Sequence, residues 1–260
     1  SMNGRAMILG VDRLDYSKGL PQRVQAYEKL LENNANLRRA VHMIQIAPPS
    51  RDTIKEYQVI SDELDSAVGR LTGRFAEPDW LPITYVKRAY SQASLAGLYR
   101  LARVGLVTPL RDGMNLVAHE YVASQNPENP GVLVLSRFAG AAEIFHDALI
   151  INPFDTDETA EAMRLAIAMP LEERKERWEG LMKVAQTYNV DNWADSYLAA
   201  LTGETPSAAA GEDDPDGDRD GKSELLPRAG ALGRPATMSI EQRAPRQSFL
   251  PWLRSVFSGT

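Results

Sequence analysis

The sequence lacks cysteine altogether and contains only three histidines among its 260 residues. Without cysteine, disulfide bonds and thiolate metal sites are excluded. The histidines, His42, His119 and His146, are scattered and do not have the spacing of a zinc centre. We therefore expect no metal site.

Long apolar runs and an excess of positive charge are also missing. No apolar run approaches the roughly 18 residues that a membrane-spanning helix needs, and the first residues lack the apolar segment of a signal peptide. The net charge of −6 argues against a general nucleic-acid-binding protein. We expect a cytoplasmic protein with neither a membrane nor a nucleic acid as partner.

The composition that remains is typical of a globular protein, with 43% apolar and 25% charged residues. It changes near residue 202, after which the chain reads GETPSAAAGEDDPDGDRDG. Such a segment cannot bury enough apolar surface to offset its ordering entropy. The sequence thus predicts a folded domain over residues 1–202 and a mostly disordered, acidic, Pro- and Gly-rich tail over 203–260.

Strand-like and helix-like segments alternate through the first domain. The predicted strands are 6–11, 41–47, 83–86, 104–107, 132–135 and 148–151. The predicted helices are 19–34, 51–69, 91–102 and 114–125, with further helices between 157 and 201. This alternation predicts an α/β fold in which a parallel sheet is covered by helices on both faces. Ligands of such sheets bind outside the carboxyl ends of the strands, at the loops 12–19, 47–52, 108–115 and 136–143.

The first of these loops carries two cations, Arg13 and Lys18, between a buried strand and a helix start. A helix N-terminus offers free N–H groups and the positive end of its dipole. Together with a guanidinium and an ammonium, it predicts a diphosphate site. The alternative is a solvated turn in which Asp12 and Asp15 pair with the two cations.

The third loop places Asp112 and Gly113 after a strand and before an apolar helix. Backbone N–H groups there can hold an anion or sugar hydroxyls, and the Asp112 carboxylate can accept two hydroxyl hydrogen bonds. Glu120, further into the helix, could hold a vicinal diol such as a ribose. The alternative is that Asp112 or Asn115 caps the helix and that Glu120 is a surface residue.

Two further loops give weaker signals. Arg51 follows Ser50 at a predicted helix start, where a capping serine and a surface arginine are the simpler interpretation. Residues 136–143 are small and include a glycine, which suits close backbone approach. His119 and His146 have no partners at metal-ligand spacing, so surface or supporting roles are favoured.

Four longer segments resemble the trehalose-6-phosphate synthases, glycosyltransferase family 20. They are RLDYSKGL at 13–20, QIAPPSR at 45–51, VTPLRDGMNLVAHEYV at 107–122 and GVLVLSRFAGAA at 131–142. The resemblance spans roughly residues 6–200 and covers only the C-terminal, nucleotide-sugar-binding lobe of that family. It implies a Rossmann-like lobe of a GT-B glycosyltransferase.

The resemblance also implies a reaction and a site. The family transfers glucose from UDP-glucose to glucose 6-phosphate with retention, giving trehalose 6-phosphate and UDP, and needs no metal or other cofactor. Catalytic roles would fall to Arg13, Lys18 and Asp112, with Arg51 on the acceptor phosphate. Donor UDP-glucose would be bound by Arg13, Lys18, Tyr99, Arg100, Asp112, Gly113, Met114, Asn115, Leu116, Val117 and Glu120.

Departures from the family pattern keep other interpretations open. The N-terminal lobe is missing, so we expect no turnover by this chain alone and a need for that lobe or for self-association. His119 replaces a usual lysine, and the stretch Ala102-Arg103-Val104 replaces a more usual acidic residue just before the strand. The alternatives are a non-catalytic UDP-sugar-binding module and a related GT-B glycosyltransferase with another acceptor. The residues do not distinguish UDP from GDP or ADP as the nucleotide of the donor.

Overall fold

A computed structural model describes residues 4–50, 54–188 and 190–202. The predicted acceptor-phosphate residue Arg51 and the predicted tail at 203–260 lie outside the described residues. The strands are β1 Ala6–Val11, β2 Val41–Ile46, β3 Ile83–Val86, β4 Val104–Val107, β5 Val132–Ser136 and β6 Leu149–Ile151. The helices are α1 Leu20–Asn33, α2 Lys55–Phe75, α3 Gln92–Leu101, α4 Leu116–Ser124, α5 Thr156–Ala168, α6 Leu171–Thr187 and α7 Val190–Thr202.

The six strands form one parallel sheet in the order β3-β2-β1-β4-β5-β6. This confirms the predicted α/β fold and gives the strand order of a Rossmann sheet. The chain moves outward from β1 through β2 to β3, then returns to the other side of β1 with β4. The strand order therefore reverses between β1 and β4, and a crevice is expected at their carboxyl ends.

Both faces of the sheet are buried, which is why its strands read as continuous apolar runs. Side chains alternate across β1, so that Ile8 joins the core under α1, α2 and α5, whereas Met7 and Leu9 join the core under α3, α4 and α6. Each such fully buried side chain contributes about 1.5–3 kcal/mol through removal from water. The two cores together fix the strand ends that carry the site.

Helix α1 places the first loop because its start is tightly constrained. Gly19 has a φ of 64°, and a Cβ there would lie 2.6 Å from the backbone oxygen of Thr108. Pro21 occupies the first turn, where its missing N–H costs nothing. Val24, Tyr27 and Leu31 then form the buried face of the helix.

Two helices differ by more than one residue from their predicted bounds. The helix predicted at 51–69 is α2, which begins at Lys55 and continues to Phe75 because Ala67, Leu71 and Phe75 extend its buried stripe. The helix predicted at 114–125 is α4, which begins only at Leu116.

Helix α7 belongs to a separate compact unit that begins at Val190. Within that helix, Tyr197, Leu198 and Leu201 are more than half exposed. The predicted domain boundary at residue 202 stays a prediction. Among the described residues, no helix combines the length and the apolar character of a membrane span.

Candidate functional site

The loops that follow β1 and β4 are joined at the carboxyl edge of the sheet. The backbone N–H groups of Leu110 and Arg111 both donate to the carbonyl of Ser17, at 2.8 and 3.3 Å. The Leu14 N–H donates to the Pro48 carbonyl at 2.9 Å, which ties in the loop after β2. Residues separated by about 90 positions in sequence thus form one surface at the reversal of strand order.

Asp15 shapes the turn that carries the two predicted cations. Its carboxylate accepts hydrogen bonds from the Ser17 backbone N–H at 3.0 Å, the Ser17 hydroxyl at 2.9 Å and the Tyr57 hydroxyl at 3.3 Å. Burial alone would raise the pKa of Asp15, but these hydrogen bonds outweigh it and hold the pKa below its ordinary value. Arg13 lies 3.7 Å from the same carboxylate and is 61% exposed, so its guanidinium stays accessible.

Lys18 reaches across to the other loop. Its Nζ lies 2.5 Å from Oδ2 of Asp112, and both side chains are mostly buried. The alternative pairing from the sequence therefore holds only for Arg13 with Asp15, because Lys18 pairs with Asp112 and Asp12 pairs with Arg23. A cation and a carboxylate, the side-chain types that suit a phosphate and sugar hydroxyls, are thus side by side here.

Asp112 and Asn115 organise the start of α4 without capping it through their side chains. Asp112 accepts hydrogen bonds from the Gly113 N–H at 2.9 Å and from Nδ2 of Asn115 at 2.8 Å. Asn115 occupies the N-cap position with a φ of 60°, and its side chain makes no capping bond. Oδ1 of Asn115 is buried and has no hydrogen-bond partner among the described residues. It is a free acceptor beside the first, unpaired N–H groups of the helix.

The segment of small residues after β5, at 139–142, packs its backbone against the start of α4. The Gly140 N–H donates to the Gly113 carbonyl at 2.5 Å, and the Ala141 N–H donates to the Met114 carbonyl at 3.0 Å. A Cβ on Gly140 would lie 2.8 Å from the Gly113 oxygen, so the predicted close backbone approach is confirmed. The side chains of Met114 and Leu116 remain 43% and 52% exposed, so the outer side of this start is open.

Glu120 is half-buried and bound to Tyr99. The Tyr99 hydroxyl donates to Oε2 of Glu120 at 3.1 Å, and Tyr99 itself is buried. Burial raises the pKa of the Glu120 carboxyl above its ordinary value, and the bond from Tyr99 only partly opposes this. Glu120 is therefore not a simple surface residue.

Arg100 does not lie beside Glu120 and the loops of the carboxyl edge, although the sequence analysis predicted it as a donor-binding residue together with Tyr99. It donates to the backbone carbonyl of Gln125 at 3.4 Å. It also lines a cavity of about 350 Å³ at the opposite edge, with Arg5 and Arg103 beside the starts of β1 and β4. Successive residues of a helix point about 100° apart, which separates the two neighbours.

Three polar residues that the sequence analysis missed lie beneath the loops. Arg23 has a fully buried side chain and an Nη2 that lies 2.8 Å from Oδ2 of Asp12. It donates to Oγ1 of Thr108 at 2.9 Å and to Oε1 of Gln45 at 3.1 Å. The available signal was a charged residue on the apolar face of α1, beside Val24, together with a glutamine inside an apolar strand.

Of the two histidines with predicted surface or supporting roles, His119 packs against Phe145, with ring centroids 4.6 Å apart and ring planes inclined by 42°. Burial lowers the pKa of His119. His146 is exposed. Within the described ranges, no three histidine, aspartate or glutamate side chains are grouped as metal ligands.

Comparison with known proteins gives a consistent set of matches. The profile of glycosyltransferase family 20 matches residues 1–203. The trehalose-6-phosphate synthases of Sinorhizobium fredii and Sodalis glossinidius are each 50% identical to the chain, over 202 and 200 residues. These matches cover 78% and 77% of the chain but 44% and 42% of the relatives. The chain thus spans less than half the length of the curated relatives that it matches.

Solved structures give the same result. A UDP-forming α,α-trehalose-phosphate synthase from Burkholderia xenovorans, in complex with glucose-6-phosphate, superposes with a TM-score of 0.76 at 52% identity. That match covers 78% of this chain and 45% of the other. An E. coli structure bound with UDP-2-fluoro glucose superposes with the same TM-score of 0.76 at 44% identity, over 79% and 46% of the two chains.

Proposed function

Because the chain belongs to glycosyltransferase family 20, we propose that its described residues form the donor-binding lobe of a UDP-forming α,α-trehalose-phosphate synthase. The full reaction transfers glucose from UDP-glucose to glucose 6-phosphate with retention, and gives trehalose 6-phosphate and UDP. The observation that carries the proposal is the Lys18–Asp112 pair at the reversal of strand order between β1 and β4. The chain matches 44% of the length of its relative, and our proposal gives these residues donor binding, with turnover requiring a second lobe.

Lys18 and Arg13 bind the diphosphate in this proposal. Lys18 is held in place by Asp112, whereas the exposed guanidinium of Arg13 is anchored only loosely at 3.7 Å from Asp15. Both charges lie where negative charge develops as UDP leaves, and stabilising that charge is the largest catalytic effect such groups can supply. Lys18 and Arg13 together provide this charge without a metal, so we assign no metal or other cofactor to the reaction.

Asp112 and the start of α4 bind the donor glucose. The carboxylate of Asp112 accepts sugar hydroxyls, and so does the unpartnered Oδ1 of Asn115. The Gly113 N–H is bonded to Asp112, whereas the backbone from Met114 to Val117 forms the start of α4, and a helix start favours the negative charge of the adjacent phosphates. A buried acceptor without a donor is costly in the free protein, and a sugar hydroxyl would remove that cost.

Glu120 binds the ribose. Its carboxylate already accepts a hydrogen bond from Tyr99, and its second oxygen can take a ribose hydroxyl. We retain Tyr99 as support for Glu120 and assign Arg100 no contact with the nucleotide, because it lines the cavity at the amino edge. The bound UDP-2-fluoro glucose of the E. coli structure supports a uridine diphosphate sugar as donor.

Calorimetric titration of the 260-residue chain with UDP, GDP, ADP and UDP-glucose tests the proposal. We expect UDP and UDP-glucose to bind more tightly than the other nucleotides, and we expect no turnover when glucose 6-phosphate is added. Absence of UDP binding would contradict the proposal. Turnover by the chain alone would show that it contains an acceptor site, and turnover with another sugar phosphate in preference would favour a different acceptor.

A further inference from the structure

Arg23 connects three strand ends beneath the proposed donor site. It lies in the first turn of α1, and its side chain is completely buried. Its guanidinium contacts Asp12 directly after β1, Gln45 near the end of β2 and Thr108 directly after β4. Among the described residues, no other charged side chain contacts all three of these strand ends.

The backbone of β1 makes room for this arrangement. A Cβ on Gly10 would lie 2.5 Å from Nη1 of Arg23 and 2.6 Å from Oε1 of Gln45. Nε2 of Gln45 donates to the carbonyls of Gly10 at 3.3 Å and Ile46 at 3.1 Å, which fixes its oxygen toward Arg23. The guanidinium therefore occupies a shaped space, in which the planar fork of arginine matches several partners and a lysine would not.

Stability alone does not account for a buried charge of this kind. Burying an ion pair costs several kcal/mol of desolvation per ion, and replacement by apolar residues is often neutral or stabilising. The contacts of Arg23 lie where the loops of the site begin. Asp12 immediately precedes Arg13, and Thr108 is two residues before Leu110, whose N–H donates to the carbonyl of Ser17 beside Lys18.

We propose that Arg23 is a positioning residue for the donor site, which fixes the loop of Lys18 against the loop of Asp112 at the carboxyl ends of the paired strands β1 and β4. It touches neither substrate and acts through Asp12 and Thr108. This inference rests on the proposed function for its effect on UDP binding. Its effect on the two loops is independent of any ligand.

The test compares Arg23→Lys and Arg23→Met with Arg174→Lys and Arg174→Met in the 260-residue chain. Arg174 is a matched control because it is also buried, and it contacts Asn129 and the carbonyl of Pro130, away from the donor loops. Thermal unfolding, amide hydrogen exchange at Leu110 and Arg111, and calorimetric UDP affinity are measured for each variant.

We expect both Arg23 variants to weaken UDP binding about tenfold or more, by analogy with the loss of a residue that orients the ligands of a metal site. Exchange at Leu110 and Arg111 should accelerate while exchange in the strands is retained. The Arg174 variants should lower the unfolding temperature without either effect. Combined with Lys18→Ala, Arg23→Lys should add little further loss, because it acts through the placement of Lys18.

Unchanged UDP affinity and unchanged exchange in the Arg23 variants would overturn the inference. Equal losses in the Arg174 variants would also overturn it, because a general loss of stability would then explain the result. If the wild-type chain fails to bind UDP, the proposed function is wrong, and accelerated exchange at Leu110 and Arg111 still decides the role of Arg23. If the Arg23 variants do not fold, Thr108→Val removes one of its acceptors at constant shape and should give the same pattern more weakly.

Discussion

The two edges of the sheet use their cationic side chains differently. At the carboxyl edge, Lys18 and Arg23 contact carboxylates that belong to other loops or strand ends. At the amino edge beside β1 and β4, Arg5 donates to the backbone carbonyls of Arg39 and Asp79, and Arg100 donates to that of Gln125. The pairs that Arg39 forms with Glu77 and Asp79 lie further out, before β2 and β3, and their side chains are exposed. A bond to a carbonyl tethers the chain, whereas a paired cation and carboxylate also offer two groups that a charged, hydroxylated ligand can bind.

The largest expected effect is a loss of stability from substitutions that disrupt the packing beneath each edge of the sheet. Gly10→Ala would push a Cβ into Arg23 and Gln45, and Gly131→Ala would place one 2.3 Å from the carbonyl of Ala102. We expect each to lower the free energy of unfolding by about 3 kcal/mol, as overpacked core sites do. Chemical denaturation measures this loss. UDP titration then separates the two, because Gly10→Ala should weaken binding and Gly131→Ala should not.

The next largest effect is a loss of UDP affinity when a cation of the carboxyl edge is removed. Lys18→Ala or Arg13→Ala should weaken UDP binding by about 1.5–3 kcal/mol each, as for the loss of a charge-assisted hydrogen bond. Calorimetry measures this change. Arg103→Ala, which removes the same charge from the amino edge, is the control. Equal affinity in Lys18→Ala and in the wild-type chain would remove Lys18 from the site.

A third prediction uses the raised pKa of Glu120. The Glu120 carboxyl binds its proton more tightly in the folded chain than in the unfolded chain, where its pKa is the ordinary 4.5. The stability that this protonated carboxyl contributes is therefore complete below pH 4.5 and is lost as the pH rises through the folded pKa. Glu120→Gln should therefore be more stable than the wild-type chain at neutral pH, as measured by thermal unfolding.

The same group should give UDP-glucose binding a pH dependence. A ribose hydroxyl binds the carboxylate, so affinity should rise as the pH increases through the raised pKa of Glu120. UDP-glucose is the suitable probe because the charge of its diphosphate is constant over this range. Glu120→Gln should bind more weakly and without this rise. A wild-type affinity that is flat above pH 4.5 would contradict the role of Glu120.

The smallest expected effect concerns His119. Burial lowers its pKa below the ordinary value of 6.5, so the folded chain resists its protonation. The corresponding stability is present above pH 6.5 and is lost as the pH falls through the folded pKa. His119→Phe, which preserves a ring against Phe145, should reduce the fall in unfolding temperature between neutral and acidic pH. Burial also lowers the pKa of His42, so part of the fall should remain.

The strands and helices, and the sheet edge at which the candidate site lies, were predictable from local sequence pattern. Each strand is a short apolar run bounded by proline, glycine or polar residues, and parallel strands bring the loops after β1 and β4 together. The long-range partners were not predictable, because Lys18 and Asp112 are 94 residues apart and several carboxylates compete for each cation. Asp12 illustrates this, since it pairs with Arg23 from the next helix and not with its neighbour Arg13.

Arg100 shows a limit of reading two adjacent residues of a matching segment together. Its neighbour Tyr99 points toward Glu120, but one step along α3 turns the next side chain toward the amino edge. The start of α4 shows a second limit. The left-handed conformation of Asn115 delays the helix by two residues from its predicted start, and nothing in the apolar pattern of the helix indicates it.

Mapping of amide chemical shifts during titration of the isotope-labelled chain with UDP-glucose tests the difference between the two edges most directly. The account predicts that the shifted amides cluster at residues 17–20 and 113–117, with the amino edge around Arg5, Arg103 and Gly131 unaffected. Shifts that cluster around the amino-edge cavity, with residues 17–20 and 113–117 unchanged, would contradict it.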